Sequence, residues 1–122
     1  AAARAWSVWE GSTSYLIQNP DHIAHAGEDD FAVAFARIEC HYFVNGGFFE
    51  VDGQILGDGD RIRQIPGVIV QGRYDVVCPM RSAWELHKAW PESTLHVVAD
   101  SGHSANEPGI VDQLIRATDQ FR

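Results

Sequence analysis

Positive charge is scarce in this chain: nine lysines and arginines stand against seventeen aspartates and glutamates in 122 residues, a formal net charge of -8. That balance repels phosphate backbones and anionic head groups, so nucleic acid and membrane surfaces are not expected as partners. It could favour cationic substrates, although an acidic surplus is also an ordinary route to solubility. Cysteine is scarce too. Cys40 and Cys78 lie 38 positions apart, with no CxxC or other metal-ligand spacing, so neither a disulfide framework nor a zinc site is expected. Two reduced thiols fit a cytoplasmic protein. His22 and His25 form an HxxH pair without a third ligand at a suitable spacing, so no metal and no cofactor is expected. No apolar run approaches 18 residues, and the start AAARAWSVW lacks the features of a signal peptide.

Apolar residues make up 45% and aromatics 11% of the chain, enough for a folded domain. Residues 1 to about 18 read as a helix, with Trp6 and Trp9 on one face and Asn19-Pro20 as stop signals. A polar stretch from Pro20 to Glu28 leads to a second helix, opened by Asp29 and Asp30 and closed after Val44 by Asn45, Gly46 and Gly47. Its predicted apolar stripe is Phe31, Phe35, Ile38 and Tyr42, at helical spacing. A segment dense in glycine and aspartate follows, with a short helical turn expected near Asp60 to Gln64. Then come the run GVIVQG, an amphipathic stretch Arg81–Trp90, the run TLHVV and a closing helix Pro108–Phe121. Strand, helix, strand, helix is an α/β pattern, and both strands read as buried on two faces of a parallel sheet. Two strands make a poor parallel sheet, so the chain reads as half of something larger.

In open α/β sheets functional groups gather beyond the carboxyl ends of the strands. Asp75 follows the first strand and His103 the second. A carboxylate and an imidazole so displayed are the two supporting members of a Ser, His, acid triad, in the chain order acid before histidine. Gly102 and Ser101 would allow a tight turn that aims the ring inward. Either residue alone reads more readily as an ordinary loop residue, and the two together, one helix apart, are more informative. The other histidines, at 22, 25, 41, 87 and 96, read as surface or structural residues.

The runs IPGVIVQGRYDVVCPM and SAWELHKAWPESTLHVVADSGHSANEPGI closely resemble the end of the proline iminopeptidases, and AWSVWEG with ARIECHYF resembles parts of their helical cap. The resemblance implies the C-terminal part of an α/β-hydrolase fold, with residues 1–57 as part of the cap and residues 58–122 as the last strands and helices of the core. It implies Asp75 as the triad acid and His103 as the base of a serine exopeptidase that removes N-terminal proline from peptides. It also implies that Glu10 in VWEG and Glu39 in RIECHYF hold the free α-amino group of the substrate. A carboxylate in a partly apolar helix attracts a cationic amine, and two of them would select a free amino terminus over an acylated one. Without the resemblance each is an ordinary solvated helix residue. Phe43, one turn after Glu39, could line a pocket for the pyrrolidine ring or could serve core packing. Cys78 matches a family cysteine near the triad.

One part of the family pattern is absent. No GxSxG elbow exists, since Gly11 to Ser14 reads GSTS and Gly102 to Asn106 reads GHSAN. A serine nucleophile and the oxyanion hole would have to come from a missing N-terminal portion or a companion chain, and the chain alone is expected to be inactive. The alternatives are an α/β-hydrolase for another amide or ester, and a non-catalytic amine-binding module.

Overall fold

In a computed structural model that describes residues 1–122, the chain divides into two compact units, Ala1–Asp52 and Gly53–Arg122. The first is helical, with α1 (Ala2–Ser14), α2 (Pro20–Ala26), α3 (Asp29–Val44) and a 3-10 turn at Gly46–Phe48. Asn19 Oδ1 accepts hydrogen bonds from the backbone N–H groups of Asp21 and His22, both at 3.1 Å. Pro20 fills the first helical position, where a missing N–H costs nothing. The stretch expected to be a polar connection is therefore a helix, and α1 stops at Ser14 rather than near Gln18. For α3 the expected range holds. Asp29 and Asp30 in its first turn complement the helix dipole.

The buried face of α3 is not the expected one. Ala32 and Ala36 are buried, Phe31 and Phe35 are half-buried, and Ile38 and Tyr42 are 61% and 52% exposed. The helices meet through small residues: Ser7 and Gly11 of α1 and Ala26 of α2 are buried as well. A Cβ added at Gly11 would lie 2.9 Å from that of Ala26. Such a seam leaves no volume for aromatic rings, which pack on its flank. There Phe31 and Phe35 stack at 5.7 Å between centroids, with His25 at 4.4 Å from Phe31. Phe48 adopts a left-handed φ of 63°, rare for a non-glycine residue, and its ring packs against His41 and Tyr42.

The second unit contains α4 (Gln54–Gly57), a 3-10 turn at Gly59–Arg61, β1 (Gly67–Gly72), α5 (Met80–Ala89), β2 (Ser93–Val98) and α6 (Pro108–Gln120). The helical turn expected near Asp60 to Gln64 thus lies a little earlier in the chain. β1 and β2 pair in parallel, from Gly67 beside Ser93 to Gly72 beside Val98, and α5 forms the crossover that a parallel pair requires. Both α5 and α6 pack on the sheet. The fold is accordingly mixed, with helices around a small parallel sheet. With only two strands, each keeps an unpaired edge. Most of β1 is half-buried and Thr94, His96 and Val97 of β2 are exposed, in place of the burial on two faces that the apolar runs predict. At the amino end of β1, Trp90 lies over Gly67 and donates its indole N–H to the Ile65 carbonyl at 2.8 Å. No helix is long and apolar enough to cross a membrane.

Candidate active site

The carboxyl ends of β1 and β2 are adjacent because the strands pair in register up to Gly72 and Val98. The loop leaving each strand is tied to the loop leaving the other. Arg73 N–H donates to the Val98 carbonyl at 2.9 Å, and Tyr74 N–H to the Ser101 carbonyl at 3.0 Å. Gly72 makes this possible. A Cβ there would stand 1.8 Å from the Gly102 oxygen and 2.8 Å from the Ser101 oxygen, so only glycine lets the two loops approach.

Asp75 is shaped by its own turn. Its Oδ1 accepts from the backbone N–H of Val77 at 3.0 Å and of Cys78 at 2.8 Å, an Asx turn that also leads the chain into Pro79 and α5. Gln71, on β1, extends its amide over the same turn, with Nε2 3.3 Å from Asp75 Oδ2 and 3.1 Å from the Cys78 carbonyl. With Oδ1 occupied by the backbone, Oδ2 faces the imidazole. His103 Nδ1 lies 3.0 Å from it. The Asp75 side chain is 7% exposed and that of His103 36%, so the acid is buried behind a ring that reaches solvent.

In this geometry an ionised Asp75 accepts from Nδ1–H, which fixes the tautomer with a lone pair on Nε2. An imidazole in that state can accept a proton at Nε2, and the carboxylate stabilises the resulting imidazolium. The two residues that sequence reasoning singled out beyond the strands are therefore brought together. Gln71, Gly72 and Glu107 were missed. Glu107, 5% exposed, accepts the Gly102 N–H at 2.7 Å, immediately before His103 in the chain. The tight turn expected at Gly102 uses no left-handed backbone, since positive φ occurs only at Gly46, Gly47, Phe48 and Gly53.

The remaining candidates belong to the helical unit. Glu39 Oε2 accepts from the Trp6 indole N–H at 2.5 Å, and the Trp6 ring lies 5.5 Å from Trp9 and 6.3 Å from Phe43. Phe43 follows Glu39 by one turn of α3, and Glu10, half-buried, follows Trp6 by one turn of α1. Glu39 and Phe43 thus share the surroundings of one tryptophan. Neither of two hollows in this unit, about 680 and 370 Å³, is lined by Glu10, Glu39 or Phe43; Arg37 and Cys40 line both, and Trp6 lines the smaller. No group of three or more histidines, cysteines or carboxylates is gathered as a metal would need.

Over 99% of its length the chain is 64% identical to a proline iminopeptidase of Xanthomonas citri, covering 39% of that protein. It is 66% identical over 98% of its length to a probable proline iminopeptidase of Leptolyngbya boryana, covering 37% of it. The chain is similar throughout to the proline iminopeptidases. A plant proline iminopeptidase, from Arabidopsis thaliana, matches the whole chain at 57% identity. No protein-family model matches. The chain spans about two fifths or less of the length of these curated proline iminopeptidases, 39% of one and 32% of another.

Proposed function

We propose that this chain supplies the acid and base of a serine exopeptidase that releases N-terminal proline from peptides, as the C-terminal portion of a longer α/β-hydrolase. In this reading residues 1–57 are part of the helical cap and residues 58–122 complete the hydrolase core. The observation that carries it is the 3.0 Å contact between His103 Nδ1 and a buried Asp75 whose other oxygen is held by two backbone N–H groups. The similarity to proline iminopeptidases supplies the reaction and the substrate class.

A serine outside these residues would add its Oγ to the carbonyl carbon of the N-terminal proline while His103 Nε2 takes the hydroxyl proton. The imidazolium, stabilised by Asp75, then gives that proton to the departing amine. Water hydrolyses the resulting ester with the same base. Glu10 and Glu39 hold the cationic amino terminus and Phe43 contacts the pyrrolidine ring. A carboxylate accepts several hydrogen bonds, so the bond from Trp6 orients Glu39 without exhausting it. In this reading the protein is cytoplasmic, where Cys40 and Cys78 stay reduced.

The test is to assay prolyl-β-naphthylamide with the purified 122-residue chain and with the intact parent. Turnover is expected from the parent alone. Hydrolysis by the short chain that an Asp75→Ala change abolishes would overturn the assignment of the nucleophile to another segment, and an inert parent would overturn the peptidase reading.

A further inference from the structure

A carboxylate buried to 5% exposure is costly unless it is hydrogen-bonded, and one group that Glu107 holds is a backbone N–H beside His103. Its Oε1 accepts the Gly102 N–H at 2.7 Å in a buried contact. Glu107 occupies the N-cap position of α6, yet its side chain makes no capping bond to that helix and turns back to the loop. The loop it grips is held at several points. Ser101 O accepts from Tyr74 N–H, Gly102 O presses on Gly72, and Ser104 O accepts from Glu107 N–H at 3.2 Å. Ser101, Gly102 and Ser104 are buried while His103 between them reaches solvent. The imidazole is thus displayed from a stretch of backbone whose neighbours are fixed.

We infer that Glu107 is a positioning residue for His103: through the Gly102 N–H it sets the peptide that aims the ring, and so keeps Nδ1 within reach of Asp75. This rests on the peptidase reading for its kinetic consequence but not for its structural one. A charge-assisted acceptor is the stronger kind of hydrogen bond, and an amide in its place keeps an acceptor oxygen while a hydrocarbon does not.

The experiment compares Glu107→Gln, Glu107→Asp and Glu107→Leu with the unaltered sequence. Turnover is measured in the intact parent, and the His103 ring ¹⁵N and Nδ1–H resonances are read in the same proteins. Glu107→Leu is expected to lower kcat on the order of 100-fold with KM little changed, as for a misplacement of about 1 Å, and to lose the Nδ1–H signal of the Asp75 bond. Glu107→Gln should restore most of kcat and that signal. Should Glu107→Leu not fold, Glu107→Asp decides: its shorter side chain draws back from Gly102 and should lower kcat at constant KM, with Glu107→Gln above it. Equal kcat in all variants, or parallel loss of kcat and folded fraction without change in the ring resonances, overturns the inference. A parent without peptidase activity refutes the functional reading, and the ring resonances still decide the role of Glu107.

Discussion

Replacing Gly72 by alanine tests the junction on which the site depends. The added Cβ would begin 1.8 Å from the Gly102 oxygen and 2.8 Å from the Gly102 carbon and the Ser101 oxygen, all backbone atoms that no rotamer change can remove. Ordinary contact begins at 3.4 Å, so the loops must part by 3.4 − 1.8, or 1.6 Å. Overpacking of this kind costs about 1–3 kcal/mol. Loss of the Tyr74 to Ser101 hydrogen bond adds about 1 kcal/mol. The expected destabilisation is therefore about 2–4 kcal/mol, read as a lower urea midpoint at unchanged slope. Because Asp75 and His103 ride on the separating loops, their 3.0 Å contact should break as well, and kcat of the parent should fall on the order of 100-fold. Gly67→Ala is the matched control. Its Cβ would meet the Trp90 ring at 2.2 Å, at the far end of the same strand, and should cost stability while leaving the His103 ring resonances in place. A Gly72→Ala protein with an unshifted midpoint and an intact Asp75–His103 signal would refute the reasoning.

Other outcomes rest on the same geometry. Asp75→Asn should keep the turn formed by Val77 and Cys78 but lose the fixed tautomer, lowering kcat of the parent on the order of 10⁴-fold; activity within tenfold of the unaltered enzyme would remove Asp75 from the mechanism. Glu39→Gln should reduce kcat/KM for free prolyl peptides by roughly 10- to 100-fold, the cost of one charged hydrogen bond, and an equal loss for an N-acylated ester would deny it a role in amine selection. On α5 the hydrogen bond from Arg81, 2.7 Å from Glu85, holds the Glu85 carboxyl below its usual range. A lowered carboxyl contributes stability above its unfolded value that is lost as pH falls through the folded one, so the acid limb of a circular dichroism titration should differ from that of Glu85→Gln. Identical limbs would show the exposed pair to be inert.

Local signals in the sequence were reliable where they had one meaning. Asp29, Asp30 and Asn45 bracket α3, and its range was legible because acidic residues mark its first turn and Asn45 its end, although no side chain caps the N-terminal N–H groups. Asn19-Pro20 carried two meanings, a stop for one helix and a start for the next, and only the bonds from Asp21 and His22 decide for the second. The stripe Phe31, Phe35, Ile38 and Tyr42 has the right period yet is not the buried face, because periodicity names an apolar side without naming what meets it. Alanine is apolar too, and Ala32 and Ala36 won the contact by being small. At the site, Asp75 and His103 were legible from their positions after two strands. Gln71, Gly72 and Glu107 were not, since a glycine chosen for an absent Cβ and a glutamate that bonds one backbone N–H leave no pattern along the chain.

The large side chains left outside the helical seam also govern how the chain behaves among copies of itself. Ile38, Phe43 and Val44 are exposed on a polypeptide that carries eight net negative charges. Long-range repulsion thus keeps the molecules apart while short-range apolar contact draws them together. Added salt weakens the first, shrinking the Debye length from about 30 Å at 0.01 M to about 3 Å at 1 M, and leaves the second intact. Raising the ionic strength should therefore favour self-association, and dilute buffer well above the acidic isoelectric point should oppose it.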